Sequence, residues 1–207
     1  MRDNMQKSDH ALMMSVVGFV KRRVFVRGYL DRLVADREVA KLLSSLPVAT
    51  MDALEISGNG FENVGFKTYR AVHYPEFDIC ESTLPETFDI ILAEQVWEHL
   101  LWPYRAGKNV YSMLRPGGYF LVMTPFLLKV HGYPVDCSRW TEIGMKYLLA
   151  ECGFELDKIA TYSWGNRMVA KANLKYGNNF AQYHPWLHRN FENDPRFPVL
   201  VWALARK

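Results

Sequence analysis

A chain of 207 residues with 49% hydrophobic and 23% charged side chains has the balance of one soluble globular domain rather than of a disordered or membrane-spanning protein. Its net charge is +3, yet residues 51–100 carry two basic and ten acidic side chains, an acidic middle poorly suited to a phosphate backbone, so nucleic acid is not an expected partner. The three cysteines, Cys80, Cys137 and Cys152, are odd in number and lack metal-ligand spacing; no disulfide framework is expected, and a reducing, cytoplasmic setting is the default.

The first ten residues are polar, and Ala11 to Val20 is an apolar run too short to span a bilayer. Its positive charges, Lys21, Arg22 and Arg23, follow it rather than precede it, which argues against a secretory signal. From Val26 to Leu46 apolar residues recur three and four apart with charges between, predicting one or two amphipathic helices that end before Pro47. Met51 to Ile56 reads as a strand that stops at Ser57, Gly58, Asn59 and Gly60, a loop whose missing Cβ atoms admit close backbone approach by a ligand. By itself that tetrapeptide describes an ordinary tight turn equally well.

Tyr69 to His73 reads as a second strand, Phe77 to Cys80 as a short third, and Phe88 to Ala93 as a fourth, buried on both faces. A helix is predicted from Trp102-Pro103 to the stop at Arg115-Pro116-Gly117-Gly118, then a fifth strand from Tyr119 to Met123. The loop His131 to Arg139 leads to a helix from Thr141, a good N-cap, to Cys152, with Gly153 at its C′ position. Phe154 to Tyr162 and Pro198 to Ala205 supply two more strands, separated by an aromatic insertion over 163–197. Strands alternating with helices predict an α/β fold with a mostly parallel, seven-stranded sheet in a single domain.

The order of these motifs resembles the class I S-adenosylmethionine-dependent methyltransferases, particularly a small bacterial type. The carrying segments are LEISGNG, FDIILAEQVWEHL over 88–100, LRPGGYFLVMTPF, and HGYPVDCSRWT followed by LLAECGF, together spanning about residues 48–156. The resemblance implies a Rossmann-like fold with helices on both faces of the sheet, S-adenosylmethionine as cofactor, and methyl transfer to a small-molecule acceptor. It also implies site residues. Glu55 with Ser57, Gly58, Asn59 and Gly60 would face the methionine and ribose part, His73 the ribose hydroxyls, Asp78 and Ile79 the adenine, and Glu94 and Gln95 the methionine end. Two positions depart from the pattern. Ser57 stands where the first glycine is usual, and His73 stands where an acid usually accepts from both ribose hydroxyls, which a neutral imidazole cannot do. These departures motivate an alternative, a catalytically silent protein of the same fold that acts as a partner subunit. A nicotinamide dehydrogenase would rest on the glycine loop alone, without the full Gly-x-Gly-x-x-Gly.

Methyl transfer from a sulfonium is an in-line displacement, so the protein chiefly aligns the acceptor and excludes water; a base is needed only if the acceptor keeps its proton. His131 is the base candidate because it follows the fifth strand at the carboxyl-edge crevice; Asp136 and Arg139 in the same loop are placed to orient it, to bind an acidic acceptor, or to pair with each other at the surface. His99, next to Glu98, is a secondary catalytic candidate. His184 and His188 are four apart but have no third ligand beside them, so no metal is expected. The aromatic share of 14% suits a large apolar pocket or an interface, which leaves room for a homodimer.

Overall fold

The computed structural model describes residues 30–132, 134–176 and 192–207. Both the Ala11 to Val20 run and the His184 and His188 pair lie outside them. Six strands form one sheet: β1 (Asp52–Ile56), β2 (Thr68–Val72), β3 (Phe88–Glu94), β4 (Leu114–Pro125), β5 (Ile159–Trp164) and β6 (Leu200–Arg206). Their spatial order is β2-β1-β3-β4-β6-β5. The pairs β1 with β2, β1 with β3, and β3 with β4 are parallel, whereas β6 runs antiparallel to both β4 and β5.

The apolar runs read from the sequence owe their continuity to burial on both faces. Along β1, β3, β4 and β6, Ala53, Ile90, Leu92, Leu121, Met123 and Trp202 pack into one core with α1 (Leu30–Ser44) and α4 (Arg167–Tyr176). The intervening residues Leu54, Ile91, Ala93, Phe120, Val122 and Ala203 pack into a second core with α2 (Pro103–Met113) and α3 (Glu142–Glu151). Period-two alternation on a sheet covered on both sides gives two cores and no polar face. Helix signals behave as their chemistry requires: Pro103 opens α2, Thr141 Oγ1 accepts from the Gly144 amide to cap α3, and Gly153 takes φ +116° beyond it.

Two expectations are corrected. Among the described residues the sheet has six strands, since Phe77 to Cys80 turns instead of pairing: the Phe77 amide reaches back to the His73 carbonyl, and Asp78 accepts from the amides of Cys80, Glu81 and Ser82. A short Asx-type turn with Ile79 and Cys80 buried mimics a half-buried strand in sequence. Secondly, β4 begins at Leu114, before the Pro-Gly-Gly segment rather than after it, with an irregular register between Phe88 and Ile90. Gly117 there has φ +79°, and a Cβ on Gly118 would lie 2.9 Å from the Arg115 carbonyl oxygen. Glycine at both positions lets the strand bend against β3. Within the 163–197 insertion, α4 is a regular helix.

Candidate active site

Parallel strands β1 to β4 all end on one edge, and every described candidate residue lies at that edge or in the loops beyond it. Glu55, the penultimate residue of β1, is 2% exposed, and its carboxylate turns back on the loop that follows. Oε1 accepts from the Gly60 amide at 2.9 Å, and Oε2 accepts from the Phe61 amide at 2.9 Å and from the Tyr69 hydroxyl at 2.6 Å. Glu55 is therefore spent on shaping the loop, and the amides of Gly58 and Asn59 are the ones it leaves unengaged. Ser57 adopts φ +56°, the left-handed conformation glycine would take at no cost, and donates its amide to the Val72 carbonyl. A Cβ on Gly58 would lie 2.1 Å from Glu55 Oε1, so glycine there is dictated by the protein's own acid.

His73, just past β2, is exposed, as is Glu76. Asp78 caps its own turn, and the side chain of Ile79 lies in the core, where only its backbone remains near the edge; its carbonyl accepts from Asn109 Nδ2. At the end of β3, Glu94 Oε1 accepts from Arg32 Nη1 at 2.6 Å, which ties α1 to this edge. Gln95 has φ +57° and donates its amide to the Met123 carbonyl, while its side-chain Nε2 is buried without a hydrogen-bond partner among the described residues.

The Trp97–His99 turn and the loop after β4 close together. Cys137 and Ser138 donate their amides to the Glu98 carbonyl, bringing His131 beside His99 with ring centroids 5.1 Å apart. Asp136 Oδ2 accepts from the His131 amide and lies 3.2 Å from its Nδ1; Arg139 grips the same carboxylate through Nη1 and Nη2. That fork holds the Asp136 carboxyl down at about 2, so it is ionised at neutral pH. Burial lowers the His131 pKa, opposed by Asp136. His99 Nδ1 bonds the Val135 carbonyl.

Sequence reasoning underrated Glu98. It is fully buried, neither carboxyl oxygen has a hydrogen-bond partner among the described residues, and burial pushes its pKa up to about 7. Thr124 Oγ1 and Trp97 Nε1 are likewise buried without hydrogen-bond partners among the described residues. The only signal in the sequence was the position of Glu98 and Trp97 just beyond a buried strand, at the edge where ligands bind in such sheets.

A model of a methyltransferase domain family matches residues 27–175. The chain belongs to this family. Its fold is shared with an S-adenosylmethionine-dependent methyltransferase of Thermotoga maritima, at 16% identity and TM-score 0.55 over 91% of each chain. It is shared also with an O-methyltransferase of a trans-AT polyketide synthase from Brevibacillus brevis bound to S-adenosylhomocysteine, at 13% identity and TM-score 0.50 over 89% of this chain and 78% of that one. Phosphoethanolamine N-methyltransferase 2 of Haemonchus contortus, likewise with S-adenosylhomocysteine, aligns at 14% identity and TM-score 0.54 over 83% of this chain and 52% of its own. No curated protein sequence matches. These neighbours are S-adenosylmethionine-dependent or hold its product S-adenosylhomocysteine. The edge fits S-adenosylmethionine: the Ser57–Gly60 loop presents backbone, and the buried Gln95 Nε2, without a hydrogen-bond partner among the described residues, is a donor in need of an acceptor. Among the described residues, no helix is long and apolar enough to cross a membrane.

Proposed function

We propose that the chain transfers a methyl group from S-adenosylmethionine to a small-molecule acceptor that enters between the Trp97–His99 turn and the loop of residues 131–140. One observation carries this reading. Gln95 Nε2, Trp97 Nε1, Thr124 Oγ1 and both Glu98 carboxyl oxygens are buried polar atoms without hydrogen-bond partners among the described residues, and all belong to the carboxyl ends of β3 and β4 or to the turn just after. Left unsatisfied, each costs on the order of 1–3 kcal/mol, a concentration of penalty that a bound ligand relieves.

When bound, the cofactor supplies an electrophilic methyl on a sulfonium. On the chain's side, the Ser57–Gly60 loop, held by Glu55, and His73 with Asp78 are assigned to its nucleoside part, and Glu94 with Gln95 to its methionine end. His131, oriented by Asp136, and His99 are assigned to the acceptor, with both rings stationed in the loops that would exclude water. Titration calorimetry with S-adenosylmethionine tests the reading. One equivalent should bind with a favourable enthalpy; no detectable binding would leave a silent subunit of the same fold.

A further inference from the structure

Glu98, His99 and His131 were read singly from the sequence, but the fold makes them one group. We propose that these three side chains form a binding site for a divalent metal ion of the zinc type, placed to hold the acceptor. The inference rests on the reading that the acceptor approaches between these loops.

One ligand atom from each residue lies within 4.8 Å of the other two, and Glu98 Oε1 stands 3.7 Å from His99 Nε2. Ligands at about 2.1 Å from a shared ion sit roughly 3–3.5 Å apart, so small side-chain rotations close the set. The buried Glu98 carboxylate, without a hydrogen-bond partner among the described residues and with His99 Nε2 at 3.7 Å, is the decisive member: a carboxylate held out of water without hydrogen bonds is strongly disfavoured, and a cation between it and the imidazole offsets that cost. Both imidazoles are already turned by outer partners. His99 Nδ1 is engaged by the Val135 carbonyl, which directs that ring's lone pair to Nε2. His131 Nδ1 lies 3.2 Å from Asp136 Oδ2 and 3.4 Å from Arg139 Nη2, and donation to the nearer carboxylate leaves the lone pair of this ring at Nε2 as well. Carbonyl and carboxylate partners behind ligating histidines are the usual outer layer of metal sites, and here Arg139 fixes the carboxylate in turn. Two imidazole nitrogens with one carboxylate favour zinc and its neighbours over magnesium or calcium. Three protein ligands leave a position open for a substrate atom.

With an acceptor hydroxyl in that position, the ion lowers the hydroxyl's pKa and its proton leaves to water. The resulting oxygen nucleophile forms the bond to the methyl carbon as the carbon–sulfur bond breaks, leaving a neutral thioether on the cofactor. His131 then acts through the ion, as a ligand, rather than as the base expected from sequence.

The test is titration of chelator-treated full-length protein with zinc chloride, and with magnesium chloride in parallel. Wild type should take up one zinc at micromolar affinity or better and ignore magnesium. His99→Ala and Glu98→Gln should each weaken zinc at least tenfold, and Asp136→Asn, which removes only the outer partner, by tenfold or more. A His184→Ala, His188→Ala double variant should bind like wild type. If a cluster variant fails to fold, cobalt(II) substitution of wild type still decides: visible bands without a thiolate charge-transfer band are expected, since no cysteine belongs to the set. Absence of stoichiometric zinc in wild type, zinc uptake indifferent to His99→Ala, or a thiolate band overturns the site. S-adenosylmethionine titrated into the same chelated protein separates the two readings: cofactor binding without zinc binding sinks the metal site alone, and zinc binding without cofactor binding sinks the methyltransferase reading alone.

Discussion

Glu55 shapes the glycine loop through three hydrogen bonds, and none of them is legible in sequence because Gly60, Phe61 and Tyr69 have no motif relation to it. Glu55→Gln places an amide where two backbone N–H groups and a hydroxyl need acceptors. Hydrogen bonds to a charged group contribute about 1.5–3 kcal/mol each, so a loss of at least about 2 kcal/mol in chemical denaturation is expected, with weaker cofactor binding; unchanged stability would contradict the role. Tyr69→Phe should cost roughly 1–2 kcal/mol by the same measurement. Gly58→Val has a revised meaning. Its Cβ would strike Glu55 Oε1, so it should lower stability as well as cofactor affinity, whereas a loop shaped only by a ligand would lose affinity alone. His73 is exposed at the end of β2, and His73→Asp gives the ribose a two-fold acceptor. One added charge-assisted bond predicts about tenfold tighter S-adenosylmethionine binding at pH 8 by calorimetry. Loss of affinity would mean that the imidazole is itself the preferred contact.

At the scale of elements, the seam between α2 and α3 is set by small residues and thiols. A Cβ on Gly107 would lie 2.4 Å from Cys152 Sγ, so Gly107→Ala overpacks the crossing and should cost about 1–3 kcal/mol in thermal or chemical unfolding. Burial pushes the Cys152 thiol up to about 11 and raises that of Cys80, whereas Cys137 is exposed. The sign is plain: a raised thiol pKa means less of the reactive thiolate at pH 8. Native protein should therefore release one equivalent with a thiol reagent and three after denaturation, and Cys137→Ser should abolish the native reaction. Fast modification of Cys152 would show the seam to be open. Elements whose signal is doubled, such as β3 with its two-sided apolar run and α3 with Thr141 and Gly153 at its ends, were legible in sequence. Phe77 to Cys80 was not, since four residues with two buried side chains fit a turn and a strand alike, and only pairing partners distinguish them.

For the whole molecule, the doubly covered sheet followed from alternation of strands and helices, but the polar cluster beyond β3 and β4 did not, because Glu98 and His99 meet His131 only when two distant loops are folded together. Topology places the ends of four parallel strands on one edge, where S-adenosylmethionine is proposed to bind. Amide hydrogen exchange of the full chain with and without S-adenosylhomocysteine tests this most directly, since it reports binding and location together. Slowed exchange is predicted in peptides containing Ser57 to Gly60, His73 to Ile79, and Glu94 to Trp97, with the opposite edge of the sheet unchanged. No protection, or protection confined to the amino ends of β1 to β4, would contradict it.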